Sequence, residues 1–178
     1  MKKIISKTLV ALAISAPLVA QSANFEPGFY GVVSAGTTEI EYTTTFKASG
    51  NGYGLGGGYE FSKYLAVEAM FGSLFKLETT SSGTTTSYSV DGLILRGILK
   101  YPVSDNFIPF VSIGSLDATE TIRVNNTNYS ASGNLTVFGL GAEIPLDGRT
   151  SVRLLVESAD NDTIQGASVA HIGIMTRF

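Results

Sequence analysis

Five charged side chains, Glu68, Arg96, Glu143, Arg153 and Glu157, each stand opposite apolar residues in segments that alternate residue by residue. Leu65, Val67, Ala69 and Phe71 oppose Glu68; Leu93, Leu95, Leu99 and Tyr101 oppose Arg96 and Lys100. Phe138, Leu140 and Ala142 oppose Glu143; Val152, Leu154 and Val156 oppose Arg153 and Glu157. Acids and arginines on one side of a greasy framework could form a catalytic carboxylate pair, an ion path, or a buried network of ion pairs. His171, the sole histidine, adds a fourth option, a hydrolase triad, which needs nucleophile, base and orienting group within hydrogen-bond reach. One His and no Cys leave too few ligands for an ordinary zinc site, and no cofactor is expected. Gly52-Tyr53-Gly54-Leu55-Gly56-Gly57 matches G-x-G-x-x-G. A dinucleotide site needs that motif at a strand-to-helix turn, whereas here the glycines lie inside a strand-like run.

The elements that carry these residues are strands. Period-two alternation predicts eight of them, at about 28–38, 50–61, 64–77, 88–101, 107–117, 133–144, 150–159 and 166–178. The connectors after the second, fourth and sixth are short: 62–63, 102–106 and 145–148. The others, 39–49, 78–87, 118–132 and the shorter 160–165, are polar and rich in Thr, Ser and Asn, which reads as loop. Short turns at one end and longer loops at the other are the asymmetry of outer-membrane barrels, and an even strand count then puts both termini in the periplasm. Aromatics gather near strand ends. Tyr59, Phe61, Tyr64, Tyr101, Phe107 and Phe178 are expected at the periplasmic rim, and Tyr42, Phe75, Tyr88 and Tyr129 at the outer rim, as two interfacial girdles.

The N-terminus carries Lys2, Lys3 and Lys7, an apolar stretch over 9–19 broken by Pro17, and small residues at Ala20, Ser22 and Ala23. This pattern predicts a secretory signal over 1–23, cleaved after Ser22 or Ala23, followed by one barrel domain over 24–178. The apolar stretch is shorter than the roughly 20 residues that an anchor helix needs. Without the signal, nine basic residues face fifteen acidic ones, a net charge of −6, which argues against a nucleic-acid partner. The absence of cysteine removes disulfide and thiol chemistry.

A water-soluble eight-stranded barrel would put its apolar face inside and its charges outside. The glycines argue for the reverse. Gly52, Gly54, Gly56, Gly58, Gly72, Gly139, Gly141 and Gly173 share the charged face, and small residues are needed where side chains from all sides meet in a narrow lumen. The charged face is therefore expected inside and the apolar face in lipid. The segments GYGLGGGYEFSKYLAVEAMFG, VFGLGAEIPLDGRTSVRLLVE and HIGIMTRF resemble the outer-membrane β-barrel family that includes the OmpA transmembrane domain and OmpX. The resemblance spans 25–178, is specific to fold and not to activity, and suits the size of OmpX better than that of full-length OmpA proteins with their periplasmic domain. It implies that the last strand, with Ile172, Ile174, Thr176 and Phe178 on its lipid face, matches the signal read by the barrel-assembly machinery. A periplasmic chaperone is implied as well.

The expectation is thus an all-β, eight-stranded, up-and-down antiparallel transmembrane barrel in the outer membrane of a Gram-negative bacterium. It is monomeric, surrounded by outer-membrane lipid and lipopolysaccharide. Glu68, Arg96, Glu143, Arg153 and Glu157 interlock in the lumen as a structural network, because eight strands leave room only for side chains. His171 falls mid-wall, facing the lumen beside these charges, which makes a hydrolase triad near the outer face the weaker reading. Four functions remain: an envelope scaffold, a surface recognition protein acting through its loops, a small-solute pore, and a lipid A-modifying enzyme. The scaffold is the main expectation, with recognition as the alternative.

Overall fold

The computed structural model describes residues 25–43, 46–81, 84–124, 127–160 and 166–178; the expected signal over 1–23 lies outside them. Eight strands follow in order: β1 (Gly28–Thr43), β2 (Phe46–Ser62), β3 (Leu65–Ser81), β4 (Thr84–Lys100), β5 (Ile108–Val124), β6 (Thr127–Pro145), β7 (Thr150–Asp160) and β8 (Gly166–Arg177). Each pairs antiparallel with its chain neighbours, and β8 returns to pair with β1 along Tyr30↔Arg177 through Glu41↔Gly166. In lipid every backbone N–H and C=O needs an internal partner, and a sheet closed on itself supplies one without leaving an edge. Alternation then sorts the side chains. Val33, Leu55, Phe71, Leu95, Ile113, Leu140, Val156 and Ile172 are exposed on the outer wall, whereas Glu68, Arg96, Glu143, Arg153 and Glu157 are buried inside.

The strands outrun the expected boundaries at one end. A tilted strand crosses a bilayer in about 9–11 residues, yet β2 to β5 have 17 each and β6 has 19. Most of what reads as loop over 39–49, 78–87 and 118–132 is paired sheet: Glu39↔Ser49, Glu78↔Ser87 and Thr119↔Ser132 continue their ladders. The alternation signal ends where lipid ends, but ladder hydrogen bonds need no apolar side chain, and Thr is a good strand former. Hydroxyl pairs replace apolar contacts: Thr119 with Ser132 at 3.1 Å and Thr121 with Ser130 at 3.2 Å. These extensions split into groups. The β2–β3 ladder ends at Asn51↔Lys76 and the β6–β7 ladder at Thr136↔Asp160. Beyond those points β3, β4, β5 and β6 continue together as a four-stranded sheet.

The outer aromatic girdle also needs correction. Phe75 is 1% exposed and meets Tyr88 edge-on inside the barrel, ring centres 5.4 Å apart. The cause is a bulge: the β3–β4 register passes from Ser73↔Asp91 to Phe75↔Val90, leaving Leu74 unpaired on that side. One extra residue reverses which face the following side chains use, so Leu74 and Phe75 both turn inward. The Thr38 hydroxyl donates to the Leu74 carbonyl and satisfies the bulge. Tyr129 is exposed as expected, and the side chain of Tyr42 lies outside the described residues. At the other rim the aromatics do cluster: Tyr59 contacts Phe29 and Phe61 edge-on at 4.9 and 5.0 Å.

Candidate functional site

The interior holds two layers. Around the start of β1 and β3 and the end of β4, charged groups interlock. Glu68 and Arg96 are direct partners across β3 and β4, and Glu143 and Arg153 across β6 and β7. Cross-strand neighbours on one face stand close enough for their side chains to meet, so register alone creates two ion pairs. Arg96 donates from Nε to Glu68 Oε1 at 2.9 Å, and from Nη1 to Glu157. Arg153 links the two pairs, donating from Nη1 to Glu68 and from Nη2 to Glu143 Oε1 at 2.8 Å. The Tyr30 hydroxyl donates to Glu68 Oε2 at 2.8 Å. The Arg153 guanidinium also faces the Tyr30 and Phe110 rings at 5.5 and 5.4 Å, a cation–π arrangement that helps a desolvated cation.

All five residues expected to share the lumen are thus brought into one cluster, and the structure adds three. Lys100 Nζ donates to Glu143 Oε2 at 2.9 Å and also to Glu60. Arg177 Nε donates to Glu60 Oε2 at 2.7 Å. Four carboxylates (Glu60, Glu68, Glu143, Glu157) then face four cations (Arg96, Lys100, Arg153, Arg177), so the cluster balances its formal charge. The signal for the added three was present in the alternation. Glu60 continues the face of Gly52 to Gly58, Lys100 that of Arg96, and Arg177 that of His171 and Met175.

Small residues make the room. A side-chain carbon at Gly58 would run into the Tyr30 ring, one at Gly141 into the Phe110 ring, and one at Gly54 would come within 2.9 Å of Met70 Sδ. The G-x-G-x-x-G motif therefore lies within a strand: Gly54, like Gly58 just beyond the motif, leaves room for a large side chain of a neighbouring strand, and Gly57 faces the other way.

His171 is buried with Nε2 3.6 Å from Glu157 Oε2, and neither ring nitrogen has a hydrogen-bond partner among the described residues. No hydroxyl is engaged by its ring, so the nucleophile–base contact of a triad is not formed. A cavity of about 10 Å³, lined by Val32, Ser34, Met70, Arg96, Arg153, Leu155, His171 and Gly173, lies beside it. That is about the room of a single water molecule. No group of three or more metal-ligating side chains occurs among the described residues.

Above the charges, the second layer is apolar. Met70, Leu74, Phe75, Val90, Ile94, Leu116, Ala118, Val137 and Ala159 pack into one buried cluster, with Tyr88 and Leu135 against it. Below, another apolar set, Tyr30, Val32, Ala66, Ile98, Phe110, Leu155 and Met175, packs around the ion pairs.

A closed eight-stranded barrel with a lipid-compatible exterior and a packed interior is what the sequence comparison then bears on. Residues 8–178 match the outer membrane protein beta-barrel domain. The chain belongs to that family. It is accordingly an integral β-barrel of the Gram-negative outer membrane. Solved structures agree in fold. Neisserial surface protein A superposes with a TM-score of 0.74 at 10% identity, covering 86% of this chain and 100% of that one. Ail, the attachment invasion locus protein of Yersinia pestis, solved with the heparin analogue sucrose octasulfate, gives 0.68 at 13%, covering 86% and 100%. The N-terminal barrel of Pseudomonas aeruginosa OprF gives 0.62 at 13%, covering 85% and 98%. At such identities the likeness is one of fold. No curated protein matches the chain by sequence.

Proposed function

We propose that this protein is a closed, non-catalytic scaffold of the outer membrane that carries a stiff sheet to the cell surface. The observation that carries the reading is the filled interior. A charge-balanced network and an apolar layer occupy successive levels of the lumen, which leaves ions no wetted path. His171, directed at Glu157 and away from any hydroxyl partner, supports the non-catalytic part. The test is conductance in planar bilayers. The purified barrel is expected to give no stepwise current, and steady single-channel steps from the unaltered protein would establish a pore instead.

A second reading is favoured by a specific feature, the edge of the four-stranded extension. Residues 127–135 of β6 have no β7 partner among the described residues, and they are almost all exposed, with only Leu135 half-buried. An open edge offers its backbone to an added strand, so surface recognition works here through sheet and not through irregular loops. The sulfated-sugar ligand solved with Ail is a poor guide to the partner. The described part of this extension mixes Asp117, Glu120 and Arg123 with Ser, Thr and Asn and forms no cationic patch.

In this reading both chain ends and the short turns lie in the periplasm, and the extension lies outside. Cysteine at Ser132 should be labelled on intact cells by an impermeant reagent, and cysteine at Asp105 should not; the opposite pattern would invert the orientation. Lipopolysaccharide and outer-membrane lipid surround a monomer. Delivery by a periplasmic chaperone and recognition of Ile172, Ile174, Thr176 and Phe178 by the barrel-assembly machinery complete the proposal. Replacing Phe178 with Asp should reduce insertion in cells far more than refolding in detergent, because a charge near the interface costs only about 0–1 kcal/mol. Equal loss by both routes would make the residue a matter of stability alone.

A further inference from the structure

On the outer wall two glycines stand opposite each other where the lipid-facing pattern calls for apolar side chains. On β1, Phe29 and Val33 are exposed to lipid, but the residue between them on that face is Gly31. On β2, Leu55 and Tyr59 flank Gly57, the direct partner of Gly31. Neither glycine faces the lumen, so neither is explained by lumen packing. An outward glycine in a strand forgoes both strand propensity and apolar contact with lipid. The hollow at Gly57 belongs to a groove of about 720 Å³ on the wall, lined also by Phe29, Tyr59, Val67, Gly97 and Phe178. The Phe178 ring lies over Gly31: a side-chain carbon there would stand 3.5 Å from Cζ and 3.7 Å from Cε2. Its backbone is tied to the same strand, with the Phe178 N–H donating to the Phe29 carbonyl at 3.0 Å, one step past the last β1–β8 pair.

We propose that Phe178 is a latch across the barrel seam, its ring seated on Gly31 so that the last residue of β8 is held on β1 by side chain as well as backbone. β1 and β8 are the two strands furthest apart in the chain, and their junction is the one that joins no consecutive strands, so it opens without breaking any hairpin. A contact made only after closure lengthens the life of the closed barrel and leaves the rate of closing little changed. If Phe178 is read by the barrel-assembly machinery, as in the proposed function on which this step alone rests, the ring is free while β8 is unpaired and occupied once the seam is shut.

The test uses protein refolded into detergent, which bypasses the cellular machinery, with the half-time of opening in heat or urea followed by gel mobility. Gly31→Ile fills the seat with a residue that lipid and strand both favour. If the glycine were incidental, this change would lengthen the half-time, as Gly97→Ile should, since a side chain at that outward glycine of β4 meets nothing nearer than the Ile113 carbonyl at 4.0 Å. The latch predicts the opposite: Gly31→Ile shortens the half-time about fivefold, Phe178→Leu does the same, Phe178→Tyr does not, and the double variant is no worse than either single one. If Gly31→Ile refolds poorly, the Phe178→Leu and Phe178→Tyr pair still decides. A half-time unchanged by Phe178→Leu, or single effects that multiply in the double variant, would overturn the latch.

Discussion

The lower and upper halves of the lumen are enclosed by the same strands, yet they are filled by opposite chemistries. Below, Glu60, Glu68, Glu143 and Glu157 interlock with Arg96, Lys100, Arg153 and Arg177. Above, Leu74, Phe75, Val90, Leu116 and Val137 pack much as a soluble core would. The difference teaches what each filling is good for. Apolar side chains tolerate loss of a neighbour at the cost of a cavity, and each contact is replaceable. A desolvated ion pair is not stabilising by virtue of its charges, since removing both from water offsets their attraction. Its partners, however, are mutually obligatory. The charged layer therefore specifies register, because a one-residue slip would drive every charge into lipid, while the apolar layer supplies bulk.

The largest effect should come from unbalancing the charged layer. Glu68 accepts from Arg96, Arg153 and Tyr30, so Glu68→Ala leaves Arg96 with Glu157 and Arg153 with Glu143 alone, and the buried network with one uncompensated positive charge. Breaking a buried pair by removing one partner costs about 3–5 kcal/mol. The midpoint of urea unfolding in detergent should fall accordingly, and it should hardly move for Lys76→Ala on the exposed wall of β3. If the two variants unfold alike, the lumen charges are hydrated and the contrast between the layers disappears.

Next comes Leu116→Ala in the apolar layer, expected at about 2–3 kcal/mol from lost transfer energy plus a partly collapsed cavity. The comparison is sharpest in combination. Leu116→Ala and Val137→Ala, within one packed cluster, should interact only modestly. Glu68→Ala and Arg153→Ala should be far from additive, since removing the second partner relieves the charge stranded by the first. Additivity in the charged pair would mean that the two side chains act independently.

A third region, the paired extension above both layers, has neither filling. Its cross-strand hydroxyl contacts, such as Thr121 with Ser130, are exposed and each contributes roughly 0.2–1 kcal/mol. Thr121→Ala should leave the global unfolding midpoint nearly unchanged and raise amide hydrogen exchange only in the outer parts of β5 and β6. A large fall in the midpoint would make the extension part of the same cooperative unit as the lumen.

Much of this division was legible in the chain. Alternation with charge on one side placed Glu68, Arg96, Glu143, Arg153 and Glu157 together, and the glycines of 52–58 told inside from outside. The apolar upper layer was legible only in part: Met70, Val90, Ile94 and Val137 share the parity of the charges on their strands, but Phe75 does not. Phe75 reaches the lumen only through the bulge at Leu74, and a bulge is a property of register with no local signature in Ser73-Leu74-Phe75. The extension was missed for a different reason. Hydrophobic period marks a strand only where one face is apolar, and beyond the lipid both faces of β5 and β6 are wetted, as the exposed run over 127–134 illustrates. Tyr88, in contrast, shares the parity of Val90 and Arg96 and could have been assigned inward from the sequence.

The smallest effect separates a lumen acid from an acid at the rim. Asp147, in the turn between β6 and β7, accepts the N–H groups of Arg149 at 2.7 Å and Thr150 at 2.6 Å through Oδ1. Those backbone hydrogen bonds, that to Arg149 foremost, hold its carboxyl below the usual aspartate range. The turn is tied onward to β8, because the Arg149 carbonyl accepts the Arg177 N–H at 2.9 Å. A carboxyl with a lowered folded value contributes stability above its unfolded value, and loses that contribution as pH falls through the folded one. The advantage of the unaltered protein over Asp147→Ala should therefore be full at neutral pH and fade below about pH 4. It should be small throughout, since the group is solvent-exposed and screened. Asp147→Asn keeps the acceptor oxygen without the charge, so it should retain part of the advantage and lose its pH dependence. Unfolding midpoints of the three proteins between pH 7 and pH 3 provide the check. An advantage over Asp147→Ala that persists undiminished at pH 3 would show that the turn is held by shape and not by the ionised carboxylate.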